Sequence, residues 1–96
     1  MHINTYAEIA SSKEVAILVS RECPYTPKAI ELLKEITKKN RDVIWRTVEA
    51  TSVEGRQIIR RYGVDAVPAF IINGKLGYVG LPTKQEIESK IKENRQ

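Results

Sequence analysis

The sequence predicts an α/β fold in which a four-stranded mixed sheet carries helices on both faces. Short apolar runs rich in β-branched residues alternate with segments whose apolar residues recur at helical spacing. Near the C-terminus an Asn-Gly pair separates two such runs, which is typical of an antiparallel hairpin. The chain has 96 residues, enough for one domain and too few for two, so we expect residues 1–96 to form a single domain.

The first part of the chain predicts a helix, a buried strand and a second helix. A short first helix is indicated by apolar residues at roughly helical spacing: Ile3, Tyr6, Ala7, Ile9 and Ala10. Residues 15–19 form a continuous apolar run and predict a strand buried on both faces. An amphipathic helix is then predicted by apolar residues at i, i+3, i+4 and i+7: Ala29, Leu32, Leu33 and Ile36.

The ends of this second helix are predicted from local signals. Pro24 and Pro27 fit its first turn, where backbone N–H groups lack helical partners, so we expect the helix to begin near Cys23 or Pro24. Two lysines suit its negative C-terminal end, and Asn40 is expected to cap it in the left-handed conformation.

The middle of the chain predicts one strand and one helix. Residues 43–48 are rich in β-branched and aromatic side chains and predict the second strand. Thr51 and Glu54 have the spacing of a capping box at the start of a helix. Gly63 is expected to end that helix.

The last part of the chain predicts a hairpin followed by a helix. Residues 69–72 and 76–79 read as antiparallel strands joined at Asn73-Gly74. Thr83 with Glu86 predicts a second capping box at the start of the final helix.

Composition and charge exclude several classes of protein. The net charge of +4 comes from basic residues mixed with acidic ones along the helices, so we expect no nucleic-acid partner. A single cysteine excludes a disulfide-stapled secreted domain and favours a cytoplasmic location. No apolar run is long enough to span a bilayer and no signal peptide is visible, so we expect no membrane partner.

Cys23 is the candidate for chemistry, because it lies between a buried strand and the start of a helix. The partial positive charge and free N–H groups at a helix start favour a thiolate, which is the form that attacks disulfides. Arg21 adds a nearby positive charge. A lone cysteine is more often a buried structural residue, but the polar and proline-rich surroundings of Cys23 favour a reactive thiol.

Two segments carry a resemblance to a known family. Cys23-Pro24-Tyr25-Thr26 resembles the glutaredoxin active-site tetrapeptide Cys-Pro-Tyr-Cys, with threonine in the last place. Residues 62–74, which contain Val67-Pro68, are similar to the thioredoxin-fold segment that carries a cis-proline before its third strand. The chain thus resembles the thioredoxin/glutaredoxin family, as a small glutaredoxin-like protein. The resemblance implies a thioredoxin fold, a cis Val67–Pro68 bond, and a Val67 backbone that docks an extended substrate beside Cys23.

Thr26 departs from the family pattern, because a dithiol enzyme needs a second cysteine to resolve the mixed disulfide that the first one forms. Three interpretations remain open. The protein is a monothiol enzyme resolved by glutathione or another small thiol, it binds a ligand such as an iron–sulfur cluster shared by two chains, or Thr26 is an engineered replacement. The segment after the fourth strand, Gly80-Leu81-Pro82-Thr83-Lys84, also lacks the acid with which glutaredoxins receive glutathione. We expect Thr83 there to be a helix cap.

The resemblance therefore implies a thiol-disulfide oxidoreductase of the glutaredoxin/thioredoxin type in monothiol form, active in electron transport and cell redox homeostasis. Cys23 is its nucleophile, Tyr25 and Arg21 are expected to contact substrate, and Thr26 is expected to hydrogen-bond the sulfur. The expected partner is a disulfide-containing protein or a low-molecular-weight thiol, with no resident cofactor or metal and a monomeric chain. The alternative is a non-catalytic binding module or cluster carrier with the same fold.

Overall fold

A computed structural model of the chain describes residues 13–93. The strands are β1 (Lys13–Val19), β2 (Val43–Glu49), β3 (Ala69–Ile72) and β4 (Lys75–Val79), and the helices are α1 (Thr26–Lys39), α2 (Val53–Tyr62) and α3 (Lys84–Glu93). The helix expected between Ile3 and Ala10 lies outside the described residues. None of the three helices is long and apolar enough to cross a membrane.

The four strands form one mixed sheet in the order β2-β1-β3-β4. Strand β1 is central: it pairs in parallel with β2 and antiparallel with β3, and β3 pairs antiparallel with β4. Because β1 has neighbours on both sides, its apolar run is buried, with Ile17 and Leu18 both fully inaccessible. The predicted mixed sheet and the antiparallel pairing of β3 with β4 are confirmed.

Helices cover both faces of the sheet, as predicted. On one face, α1 and α3 pack against β1 and β3 around the fully buried side chains of Ile17, Leu33 and Phe70. On the opposite face, α2 packs against Leu18 and Ala69. Each face therefore has its own apolar core, and alternate residues of the central strands point to one core or the other.

Two turns match their sequence signals. Asn73 and Gly74 have φ values of 51° and 79°, as a type I′ hairpin turn requires. Gly63 has φ 66° and ends α2 in the left-handed conformation. Both predictions are confirmed.

The start of α1 and the conformation of its C-cap differ from the prediction, whereas its end at Lys39 with Asn40 as the C-cap agrees with it. The helix begins at Thr26 rather than near Cys23 or Pro24, because a turn comes first: the Cys23 N–H donates to the Ser20 carbonyl at 3.0 Å. At the other end Asn40 is not left-handed, with φ −120° and ψ 83°. Its backbone N–H and its side-chain Nδ2 both donate to the Ile36 carbonyl, at 3.0 and 2.9 Å, so Asn40 ends the helix by hydrogen bonding.

The cap of α2 lies one residue later than predicted. The Ser52 hydroxyl accepts from the Gly55 N–H at 2.9 Å, so Ser52, not Thr51, is the N-cap. Glu54 is not part of a capping box, since its carboxylate pairs with Arg46, whose Nη1 lies 2.9 Å from its Oε1. That pairing lowers the pKa of Glu54. Glu54 therefore anchors the start of α2 to β2.

Replacing the true cap should destabilise the protein more than replacing its neighbour. We expect Ser52→Ala to lower the free energy of unfolding by about 1 kcal/mol, because the Gly55 N–H loses its acceptor. Thr51→Ala is the matched control and should cost less than half as much. Urea unfolding of both variants measures the difference, and equal losses would contradict the assignment of the cap.

The capping box at the start of α3 is confirmed. The Thr83 N–H donates to Glu86 Oε1 at 2.9 Å, and the Glu86 N–H donates to Thr83 Oγ1 at 3.1 Å. The bond from the Thr83 backbone is the main reason that the pKa of Glu86 is lowered. A carboxyl with a lowered pKa stabilises the fold while it is ionised and stops doing so when it is protonated.

The stability that Glu86 contributes should disappear in acid. We expect the advantage of the wild type over Glu86→Gln to be complete above about pH 5, beyond the unfolded pKa of glutamate. The advantage should shrink as the pH falls through the lowered pKa of the folded protein. Urea unfolding at several pH values measures it, with Glu88→Gln on the same helix as the control. A difference from Glu86→Gln that does not change with pH would contradict the role of the ionised carboxylate.

Candidate active site

The sheet topology brings Cys23 and Val67 together. Cys23 follows the C-terminal end of β1, and Val67 precedes the N-terminal end of β3. These two ends are adjacent, since Leu18 pairs with Ala69 in the antiparallel register. Two segments that lie 44 residues apart in the chain therefore meet at one end of the sheet.

The Cys23 thiol faces the backbone of Val67. Its Sγ lies 3.7 Å from the Val67 carbonyl oxygen, a distance at which the S–H acts as a weak donor. Both residues are half-buried. The thiol and the Val67 backbone therefore lie side by side and are both partly accessible to solvent.

The Ser20 carbonyl organises the turn that carries Cys23, and the sequence interpretation did not identify it. It accepts the Cys23 N–H and the Thr26 hydroxyl, each at 3.0 Å. The Ser20 side chain also accepts the Glu22 N–H at 3.3 Å. A serine directly after a buried strand is a weak turn signal, and no motif points to its carbonyl.

Thr26 does not donate to the sulfur, contrary to expectation. A threonine hydroxyl has one hydrogen, and Thr26 gives it to the Ser20 carbonyl. The Thr26 N–H donates to the Cys23 carbonyl at 3.3 Å and so closes the turn from the other side. Thr26 therefore acts on the backbone around Cys23.

The Val67–Pro68 peptide bond is cis, as predicted. Pro68 is fully buried, and its carbonyl accepts the Gly80 N–H at 2.7 Å. Gly80 has φ 101°, a backbone conformation that favours glycine. This bond ties the end of β4 to the segment beside the thiol.

Several side chains around this end of the sheet are accessible. Tyr25 is 51% exposed and Leu81, which follows Gly80, is 37% exposed. Pro24 and Arg21 are also exposed. Tyr25, Pro24 and Leu81 supply apolar surface suited to contact with a partner, while the contact of Arg21 with substrate stays a prediction.

The electrostatic surroundings of the thiol are simple. Across residues 13–93 no polar or charged side chain is buried. Over the same residues, no cluster of three or more His, Cys, Asp or Glu side chains is arranged to hold a metal ion.

The segment after β4 is used structurally. The Thr83 hydroxyl accepts the Glu86 N–H and so caps α3, which confirms the expectation for Thr83. In this cap the Thr83 oxygen is the acceptor, so the hydroxyl hydrogen is not used for it. This end of the sheet therefore adds backbone and apolar surface to the site.

Residues 13–92 match the family model described as "Thioredoxin domain". Over 83 residues the chain is 32% identical to the protein named "Thioredoxin" of Methanocaldococcus jannaschii, and the alignment covers 85% of this chain and 95% of that protein. Over 74 residues it is 38% identical to the "Probable Thioredoxin" of Methanothermobacter thermautotrophicus, covering 76% of this chain and 85% of that protein.

Solved structures show the same fold at low sequence identity. Thioredoxin O2 from Arabidopsis thaliana, in its oxidized state, aligns with a TM-score of 0.69 at 17% identity, covering 95% of this chain and 86% of that one. Fasciola hepatica thioredoxin aligns with a TM-score of 0.70 at 16% identity, covering 91% of this chain and 85% of that one.

Proposed function

The chain belongs to the thioredoxin family, and on that premise we propose that it is a thiol-disulfide oxidoreductase that works in monothiol form. Cys23 is its nucleophile. The observation that carries the proposal is the position of the thiol, half-buried at the end of the sheet and 3.7 Å from the backbone carbonyl of Val67.

The Val67 backbone suits the docking of an extended peptide. Its carbonyl is within reach of the sulfur, so a chain that pairs with Val67 brings its own disulfide to Cys23. Tyr25 and Leu81 are exposed apolar side chains in the segments next to it. We propose that Val67 and Pro68 position the substrate and that Cys23 attacks it.

The first step is an exchange in which atoms and electrons balance. The thiolate of Cys23 attacks one sulfur of a substrate disulfide, a new S–S bond forms to Cys23, and the other substrate sulfur leaves as a thiolate. The proton of Cys23 passes to water before the attack. The leaving thiolate takes a proton from water.

The second step requires a thiol from outside the chain. Cys23 is the only cysteine in the sequence, and Thr26 occupies the place of a resolving thiol. A small thiol such as glutathione therefore attacks the mixed disulfide, becomes disulfide-bonded to the substrate sulfur, and releases Cys23 as a thiolate. A second small-thiol molecule then attacks the small-thiol sulfur of that disulfide and frees the substrate sulfur as a thiolate, so two small-thiol molecules leave joined as one disulfide and supply the two electrons of a full cycle.

The substrate class follows the relatives. The curated proteins named above are thioredoxins by name, so we propose disulfide-containing proteins as substrates, with a small thiol as the reductant. The glutaredoxin character of the mechanism rests on the residues Cys23-Pro24-Tyr25-Thr26. A compartment that keeps thiols reduced suits this chemistry, and we propose the cytoplasm.

Reduction of a protein disulfide should depend on both Cys23 and an added small thiol. We expect the wild type to form a mixed disulfide with the substrate and to turn over only when glutathione is added. Cys23→Ser should do neither. Mass spectrometry of the trapped adduct and a glutathione-coupled assay measure the two steps.

A second cysteine at position 26 provides the sharper comparison. Thr26→Cys should release the substrate without added thiol and end as an internal disulfide, two hydrogens lighter than the reduced chain. Thr37→Cys, on the same helix but far from the turn, is the matched control and should behave as the wild type. If the wild type forms no mixed disulfide while Thr26→Cys is active, the monothiol proposal is wrong.

A further inference from the structure

We propose that Thr26 is a positioning residue for the Cys23 thiol, acting through the Ser20 carbonyl. The inference rests on the proposed function for its kinetic consequence and on geometry for its structural one. Thr26 thus has a structural role of its own, in addition to standing where a dithiol enzyme has its resolving cysteine.

The hydrogen bonds form a connected set around one backbone oxygen. The Thr26 Oγ1 donates to the Ser20 carbonyl at 3.0 Å, and the Cys23 N–H donates to the same oxygen at 3.0 Å. A carbonyl oxygen has two acceptor positions, and these donors use both. The hydroxyl of Thr26 and the backbone N–H of Cys23 are thereby both bound to the Ser20 carbonyl oxygen.

The hydroxyl is not needed for the helix that it begins. Residue 25, the N-cap of α1, forms no side-chain capping bond, and Thr26 directs its hydroxyl back into the preceding turn. Thr26 is also half-buried, so its bond to Ser20 is protected from competing water. The side chain therefore serves the loop that carries the cysteine.

The direction of the sulfur depends on this turn. With the Cys23 N–H on Ser20 and the Cys23 carbonyl accepting the Thr26 N–H at 3.3 Å, the backbone on both sides of the thiol is fixed. The sulfur then faces the Val67 carbonyl. Without the Thr26 hydroxyl the turn would be held by its backbone bonds and by the bond from the Glu22 N–H to the Ser20 side chain, and the sulfur would spend less time beside Val67.

One vibrational measurement tests the geometry without any activity. The chain has a single cysteine, so the reduced protein has a single S–H stretching band. We expect Thr26→Val, which keeps the shape of the side chain and removes the hydroxyl, to shift this band toward that of a free thiol. Thr26→Ser should restore the wild-type band.

A kinetic ratio tests the consequence for the reaction. The ratio compares the exchange rate of Cys23 with a peptide disulfide, which needs the sulfur beside Val67, with its alkylation rate by iodoacetamide, which does not. We expect Thr26→Val to lower this ratio roughly twofold to tenfold, the factor that corresponds to the loss of one hydrogen bond. Thr26→Ser should stay within about twofold of the wild type.

Thr37→Val is the matched control. Thr37 lies on the same helix, and its hydroxyl donates to the Leu33 carbonyl at 2.9 Å, so the variant removes a comparable bond away from the turn. It should move neither the S–H band nor the ratio. A general loss of stability would act similarly in both valine variants and is recorded by thermal unfolding.

The outcomes separate this inference from the proposed function. An unchanged band and an unchanged ratio in Thr26→Val would overturn the positioning role, and so would a Thr26→Ser variant that behaves like Thr26→Val. A wild type that never exchanges with the peptide, with the band shift still present in Thr26→Val, would overturn the proposed function and support the positioning of the thiol.

Discussion

The two-sided pairing of β1 is the constraint on which the rest of the structure depends. Because β2 pairs with it in parallel and β3 pairs antiparallel, the C-terminal end of β1 lies beside the N-terminal end of β3. That adjacency places the Cys23 turn against Val67. The same central position buries the strand on both faces, so the site stands on a rigid support.

The chemistry of the site is built from backbone groups around one sulfur. The carbonyls of Ser20, Val67 and Pro68 each accept a hydrogen bond that holds the turn, the thiol or the end of β4. Side chains supply the Cys23 thiol, the Thr26 hydroxyl donor and accessible apolar surface. Backbone positions follow from the fold, and solved thioredoxins share this fold at 16% and 17% identity.

Much of the fold could be predicted from the sequence, because its signals are local. The thioredoxin fold, the four-stranded mixed sheet, the Asn73-Gly74 turn and the cap at Thr83 are all confirmed. The errors lie at helix ends, where neighbouring residues compete. Thr51 and Ser52 are equally good caps by type, and only the path of the chain between β2 and α2 decides for Ser52. Within the site, Cys23 and Val67 were brought together by resemblance and topology, whereas the Ser20 carbonyl could not be found since backbone oxygens leave no signature in a sequence.

The two hydrogen bonds that the Ser20 oxygen accepts have a consequence for which residues can stand at position 26. Position 26 can hold a hydroxyl that secures the turn or a sulfur that completes a dithiol cycle, but one side chain cannot do both equally well, because a thiol is a weak donor. Under the proposed function, a cysteine at position 26 would let the chain complete the cycle alone, but it would hold the Cys23 turn less firmly. Under the same proposal, the threonine keeps the placement of Cys23 accurate, and the electrons come from a thiol outside the chain.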